Sequence, residues 1–359
     1  MKYIENYIYD KDYIGKGTFS KVYIGFEKNA PKKKYAIKKI YRKSNKKYVK
    51  YLNLEIEIMN KLNHKNIIKL YDTIYTEKYV FLVLELCDTD LYTYIHNNII
   101  TEKETQYIVK QIIEAIKYIM DNNIVHRDLK PHNILINEDT KEIKLCDFGF
   151  AREFKDTLLT DTICGSPLYM APEILHYKKY TQLADLWSVG VILYEILFKV
   201  TPIKGNNLYE LVSNIKKYNY KNDPLLLNQS IWSEPVIKLI KQLLEKNPKK
   251  RITWELFFNH EWFNYKINET QEINKQDDYI FLMDEDNSVI YNSKLTISDN
   301  YLDTQLSLSD EKHDSQYLIV SNTKKISSIP RSMPKNRFTN MITSLGNSLS
   351  LLFTSPNSI

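Results

Sequence analysis

Between Asn123 and Ile136 the chain reads NIVHRDLKPHNILI, with acid, amide and base set among residues fit for burial. Ile124, Val125, Leu129, Ile134, Leu135 and Ile136 form the apolar frame that Asp128, Lys130 and Asn133 interrupt. Buried charge is costly unless a partner meets it. Such a run is either a loop of satisfied polar groups or a site, and three other segments weigh for the site. In GKGTFSKV, Gly15 and Gly17 allow backbone N–H groups to approach and cover phosphates. Taken alone, a glycine-bearing hairpin turn accounts for them equally well. Lys38 in YAIKK stands on an alternating strand and can bridge phosphate oxygens, with Glu55 on the next helix to hold it. Asp147 in KLCDFGFAR ends an apolar strand. Asn133 and Asp147 are hard oxygen donors of the type that binds Mg²⁺, which leaves Asp128 free to accept a proton from an attacking hydroxyl.

The elements that must position these groups change character along the chain. DYIGKGTFSKVYIGFE and KYAIKKIY alternate as short strands, and IIKLYDTIYTEKYVFLVLEL adds two more. YVKYLNLEIEIMNKLN lies between them and places Leu52, Ile56, Met59 and Leu62 on one helical face. From Thr101 the signal is helical, and Thr101 with Glu104 spells a capping box. ADLWSVGVILYEILF is apolar nearly all round, as a buried helix is. The pattern predicts an α+β fold of two lobes, a small β-rich one and a larger helical one, with a cleft between them.

Composition narrows the class. The 359 residues, 43% of them hydrophobic, suffice for one large domain with an extension, or for two domains. No apolar run reaches the roughly 18 residues of a membrane span, and MKYIENYIYD lacks the character of a secretory signal. Cys87, Cys146 and Cys164 are odd in number and unpaired in spacing, which predicts reduced thiols and a cytoplasmic protein. The net charge of +6 is spread among acids, and PKKKYAIKKIYRKSNKK reads as a solvated strand and helix start, not as a nucleic-acid surface. Apolar periodicity thins after Trp262. Between Glu269 and Asp314 twelve acids face three bases, and from Gln316 onward there are bases only. These shifts place a boundary near residue 265, with a compact domain over 13–263 and a weakly ordered tail over 264–359.

GKGTFSKV, AIKK, HRDLKPHN, DFG and APE follow one another in the order and spacing of eukaryotic protein kinases, which the chain resembles from about Tyr13 to Phe263. DLWSVG and Arg251 in NPKKRIT extend the match. The resemblance implies a serine/threonine kinase that uses ATP and Mg²⁺ and acts on protein substrates. It makes Asp128 the catalytic base and has Lys130 steady the γ-phosphate, while Asn133 and Asp147 hold magnesium. Gly15 and Gly17 then cover the phosphates, and Lys38, paired with Glu55, contacts them. Ile14, Val22, Ala36 and Leu135 enclose adenine, Glu85 and Cys87 present backbone groups to its edge, and Leu84 stands as gatekeeper. Met59, Leu70, His126 and Phe148 correspond to the apolar stack that links the lobes. Ser20 replaces the third glycine of the phosphate loop, and His132 stands where kinases that favour basic substrates carry Glu.

CGSPLYMAPEIL with DFGFAR resembles the autophagy-initiating kinases. From this follow activation by phosphorylation of Thr162, ahead of Thr157 and Thr160, with Arg127 as the phosphate's partner. Serine is the expected acceptor, because Phe150 follows the DFG glycine, with apolar residues around it, because His132 offers Arg no charge. A pseudokinase scaffold is the alternative, and the presence of Lys38, Asp128, Asn133 and Asp147 weighs against it. In the tail, Asp277 to Leu282 (DDYIFL) resembles the short motif that adds a strand to ubiquitin-like proteins of autophagy, and packing on the kinase lobe explains it as well. Residues 338–353 carry a stripe of Phe338, Met341, Ile342, Leu345, Leu349, Leu352 and Phe353 at helical spacing. Its expected cover is a partner or the kinase itself, with a membrane surface second and disorder as the plain alternative.

Overall fold

A computed structural model describes residues 1–17, 19–42, 46–153, 165–176, 182–227, 232–267, 279–283 and 289–293. Six strands build the small lobe: β1 (Lys2–Ile4), β2 (Tyr7–Lys16), β3 (Ser20–Glu27), β4 (Ala30–Tyr41), β5 (Leu70–Tyr75) and β6 (Tyr79–Leu84). They form one antiparallel sheet in the order β1-β2-β3-β4-β6-β5, with α1 (Lys46–Lys61) between β4 and β5 in sequence. The sheet begins at Lys2, ahead of the first motif, and buried Tyr7 and Tyr9 anchor this extension.

Side chains alternate across a strand, so β4 serves two cores. Ala36 and Ile40 join the large core that runs into α1 and the second lobe. Ile37, between them, joins Tyr9, Tyr23 and Phe81 in a separate aromatic layer on the opposite face. On α1, Leu52, Ile56 and Met59 are buried as the spacing predicts, with Leu62 just beyond the helix end. Glu55 is buried with them, which sets a carboxylate under the sheet.

The larger lobe carries short strands β7 (Thr89–Asp90), β8 (Ile124–Val125), β9 (Ile134–Ile136), β10 (Ile143–Leu145) and β11 (Arg152–Glu153) among helices. The helices are α2 (Leu91–Asn97), α3 (Glu102–Asp121), α4 (Pro172–Leu175), α5 (Leu183–Phe198), α6 (Leu208–Lys217), α7 (Pro224–Leu227), α8 (Glu234–Leu243) and α9 (Trp254–Phe258). The Thr101 hydroxyl caps α3 by accepting the Glu104 N–H at 3.1 Å, while the Glu104 carboxylate accepts the Tyr94 hydroxyl. Helix α5 is buried along its length from Ala184 to Phe198. At Gly190 a Cβ would come 2.7 Å from Leu243 Cβ, so glycine sets how closely α5 approaches α8. The fold is the α+β arrangement of two lobes that the sequence pattern predicts.

Beyond the large lobe, β12 (Tyr279–Met283) pairs antiparallel with β13 (Val289–Ser293). Tyr279 to Leu282 of the DDYIFL motif thus lie in a strand, whereas Asp277, Asp278 and the stripe over 338–353 fall outside the described residues. Among the described residues no helix is long and apolar enough to cross a membrane.

Candidate active site

The segment 126–133 is strung between β8 and β9. Val125 and Ile124 pair with Arg152 and Glu153, and β9 pairs with β10, which pins both ends. Within it the chain turns back on itself, with Arg127 at φ +70°. Asn133 Nδ2 donates to Asp128 Oδ2 at 2.9 Å and to the Asp128 carbonyl at 2.8 Å. Lys130 Nζ lies 3.0 Å from Asp128 Oδ2 and donates to Ser166 Oγ at 2.7 Å. The Ser166 N–H donates to Asp128 Oδ1 at 2.8 Å. Three groups thus hold the Asp128 carboxylate in place. A carboxylate this buried needs such partners, and because each of its oxygens carries two lone pairs, the Ser166 N–H at Oδ1 does not by itself exclude an acceptor hydroxyl there.

His126 is fully buried behind this loop. Its Nε2–H donates to the Cys146 carbonyl at 3.0 Å and its Nδ1 accepts the Asp128 N–H at 3.3 Å, which defines a neutral tautomer. Burial holds its pKa below the usual histidine range, consistent with that tautomer. Its ring meets Phe148 edge to face at 5.1 Å. Met59 and Phe148 belong to the large core and Leu70 packs on it, and His126 touches that core through Phe148.

Across the cleft, Lys38 Nζ donates to Glu55 Oε1 at 3.1 Å in a fully enclosed pair. Burial opposes charge on Lys38, but Glu55 and then Asp147 outweigh it and raise the pKa above the ordinary lysine value. Ile14, Val22, Ala36, Leu84, Glu85, Cys87 and Leu135 line the same pocket as Lys38, Glu55 and Asp147. Glu85 N–H donates to the Lys69 carbonyl at 3.0 Å, and its carboxylate pairs with Lys144 at 2.8 Å. Gly15 and Gly17 lie at the β2–β3 hairpin and not in the pocket lining, and Gly17 N–H donates to the Ser20 carbonyl at 2.8 Å.

Asp147 sits at φ +62°, a backbone region that non-glycine residues seldom adopt and that recurs at functional sites. Burial pushes its carboxyl up to about 7, against the pull of Lys38. Asp147 Oδ2 and Asn133 Oδ1 are both buried without a hydrogen-bond partner. Two orphaned hard oxygens, one of them from a carboxyl that a bound cation would keep ionised, suit a magnesium-type cation that completes its shell with phosphate and water. Among the described residues no cluster of three His, Cys, Asp or Glu side chains forms, so these two oxygens could hold a cation only with such help. The donor set fits Mg²⁺.

The family model for the protein kinase domain matches residues 8–263. The chain belongs to the protein kinase family. The serine/threonine-protein kinase atg1 of Dictyostelium discoideum is 40% identical over 284 residues, covering 75% of this kinase and 41% of the relative. ATG1c of Arabidopsis thaliana is 41% identical over 252 residues, 69% of this kinase and 34% of that protein. A putative serine/threonine-protein kinase of Acanthamoeba polyphaga mimivirus is 34% identical over 298 residues, 74% and 65% of the two chains. The kinase thus spans less than half the length of the Dictyostelium and Arabidopsis relatives. The resemblance to the autophagy kinases that CGSPLYMAPEIL and DFGFAR carry agrees with these relatives.

The structure adds residues that motif reading passed over. Ser166 joins Lys130 and Asp128 through separate atoms. Gly165 before it sits at φ +107°, and a Cβ there would come 2.7 Å from the Arg127 carbonyl. Their signal in sequence was the GSP that precedes APE. Tyr92 stacks on His132 with centroids 4.2 Å apart and planes 16° apart, a contact across sequence that spacing could not reveal. Thr157, Thr160, Thr162 and Cys164 lie outside the described residues, and Cys87 and Cys146 are unbridged.

Proposed function

We propose that this kinase transfers the γ-phosphate of ATP to serine or threonine hydroxyls of protein substrates. The observation that carries the reading is Asp128, locked by Asn133, Lys130 and Ser166, in the fold that also holds the Lys38–Glu55 pair and the orphaned oxygen of Asp147. Lys38, kept charged by Glu55, binds the α- and β-phosphates. Ile14, Val22, Ala36 and Leu135 enclose adenine, and the backbones of Glu85 and Cys87 read its edge. Asn133 and Asp147 would hold magnesium, which when bound neutralises phosphate charge. Asp128 takes the proton of the acceptor hydroxyl, and Lys130 steadies the phosphoryl group in transit. Asp147→Ala should abolish phosphorylation of a generic protein substrate by radiolabelled ATP while the domain stays folded. Turnover at the wild-type rate would refute the assignment.

Substrate choice follows from the His132–Tyr92 stack. Burial, then Lys130 and His96, hold His132 down to about 4, so it is neutral near pH 7. A neutral aromatic pair offers no charge to an arginine of the substrate and favours apolar side chains, and the bulky, buried Phe150 that follows the DFG glycine biases the acceptor towards serine. A peptide array dominated by threonine acceptors or by arginine before the acceptor would refute this. Phosphorylation of Thr162 activates the kinase by adding close to two negative charges, with Arg127 as the phosphate's partner. Thr162→Ala should lower turnover and Thr162→Glu should restore part of it.

A further inference from the structure

The strands that roof the catalytic cleft expose a different chemistry on their other side. Lys16 of β2 is registered against Lys21 of β3, and Lys21 against Lys39 of β4. Like charges directly opposite one another weaken strand pairing, and here three stand in a row. Lys2 of β1 completes the group, and the four lysines line one shallow cleft of about 360 Å³. Neighbouring strands are roughly 4.8 Å apart, so the row spans about 10 Å.

What meets these charges is aromatic. Lys39 Nζ stands 3.8 Å from the Tyr79 ring centroid, Lys21 Nζ 4.9 Å from that of Tyr13, and Lys2 Nζ 5.6 Å from that of Tyr23. Ring faces attract cations but leave their charge in place. Among the described residues no carboxylate lines the cleft, and none of the four lysines forms an ion pair. Burial, Lys2 and Lys21 together hold Lys39 below the ordinary lysine pKa, the mark of a cation short of an anion. Tyr23, Tyr41 and Tyr79 line the cleft as well and bring phenolic donors.

We propose that this outer face of the small lobe binds a ligand with clustered phosphate groups, across the sheet from the adenine pocket and meeting the phosphate loop at Gly17 and Ser20. One phosphate can reach two neighbouring ammonium groups, whereas a row of three with a fourth beside it calls for several phosphates on one scaffold. An inositol polyphosphate and the headgroup of a phosphoinositide share that chemistry.

The test uses the full chain with magnesium and a non-hydrolysable ATP analogue at saturation, so that the nucleotide pocket is filled. Calorimetric titration with inositol hexakisphosphate should show binding that weakens as salt is raised. The double variant Lys21→Gln, Lys39→Gln should weaken it at least about tenfold, since each charge-assisted contact is worth about that much. Lys21→Arg, Lys39→Arg should retain it, which separates lost charge from lost fold, and Lys241→Gln on α8 should leave it unchanged. In a second arm, phosphatidylcholine vesicles with and without phosphatidylinositol bisphosphate are floated with the protein. Capture that needs the phosphoinositide and fails in the Gln variant assigns the site to a lipid headgroup, and binding in the first arm alone assigns it to a free polyphosphate. No binding in either arm, binding that the Gln variant keeps, or binding that disappears when the ATP analogue is present overturns the proposal. Preference for an acidic peptide over both phosphate probes overturns it too.

Discussion

Lys38 and Lys39 are neighbours on β4 and differ in almost every physical respect. Lys38 faces the cleft, is buried, and lies 3.1 Å from Glu55, with its pKa raised. Lys39 faces the outer side, rests 3.8 Å from the Tyr79 ring, and has its pKa lowered. One residue type on one strand thus gives two cations of opposite character, because the pleat turns them to opposite faces. The inner face meets charge with matched carboxylates and fixed geometry. The outer face meets it with ring faces and other lysines.

The widest separation between the two faces is expected in turnover. Lys38→Met should lower kcat by at least about 100-fold, as loss of a preorganised charge at a reacting phosphate does. Lys33→Met, exposed on the outer face of the same strand beside the Tyr35 and Tyr71 rings, should stay within about twofold, and similar kcat values for the two variants would erase the contrast. Next comes Glu55→Gln. Leaving the Lys38 ammonium buried beside a neutral amide should cost about 3 kcal/mol in denaturant unfolding as well as turnover. Unchanged stability would mean that Asp147 alone suffices for Lys38.

Acylation with an amine-reactive ester, followed by peptide mass mapping, reads the two pKa directions directly. Below the ordinary lysine pKa of 10.5, Lys39 should carry more of the reactive neutral amine and label first, while Lys38 resists. Raising the pH should increase labelling of Lys39 well before that of Lys38, and the reverse order would contradict both assignments. The smallest effect belongs to Tyr79→Leu, which removes the ring beneath Lys39 and the edge-to-face contact with Tyr41 at 5.8 Å. A loss of about 0.5–1 kcal/mol is expected, with kcat unchanged.

Local chemistry was readable from the chain alone wherever it depends on short-range order. The alternation of β4, the apolar face of α1 and the all-round apolarity of α5 each follow from periodicity over a few residues. HRDLKPHN and DFG were legible because phosphate and metal chemistry restricts which residue types can serve. The β1 extension was not read, since tyrosines and lysines alternate there without a clear apolar signal.

The sequence by itself determined which groups exist, their order along the chain and the face each takes on its own element. Tertiary structure decided what each group meets. Only folding brings Ser166 to Asp128 across 38 positions and Tyr92 onto His132. It sets Lys16, Lys21 and Lys39 in a row, because strand register follows from pairing and not from any single strand's pattern. Charge state and reactivity depend on distances of a few ångströms between residues far apart in sequence, and those distances are properties of the packed chain.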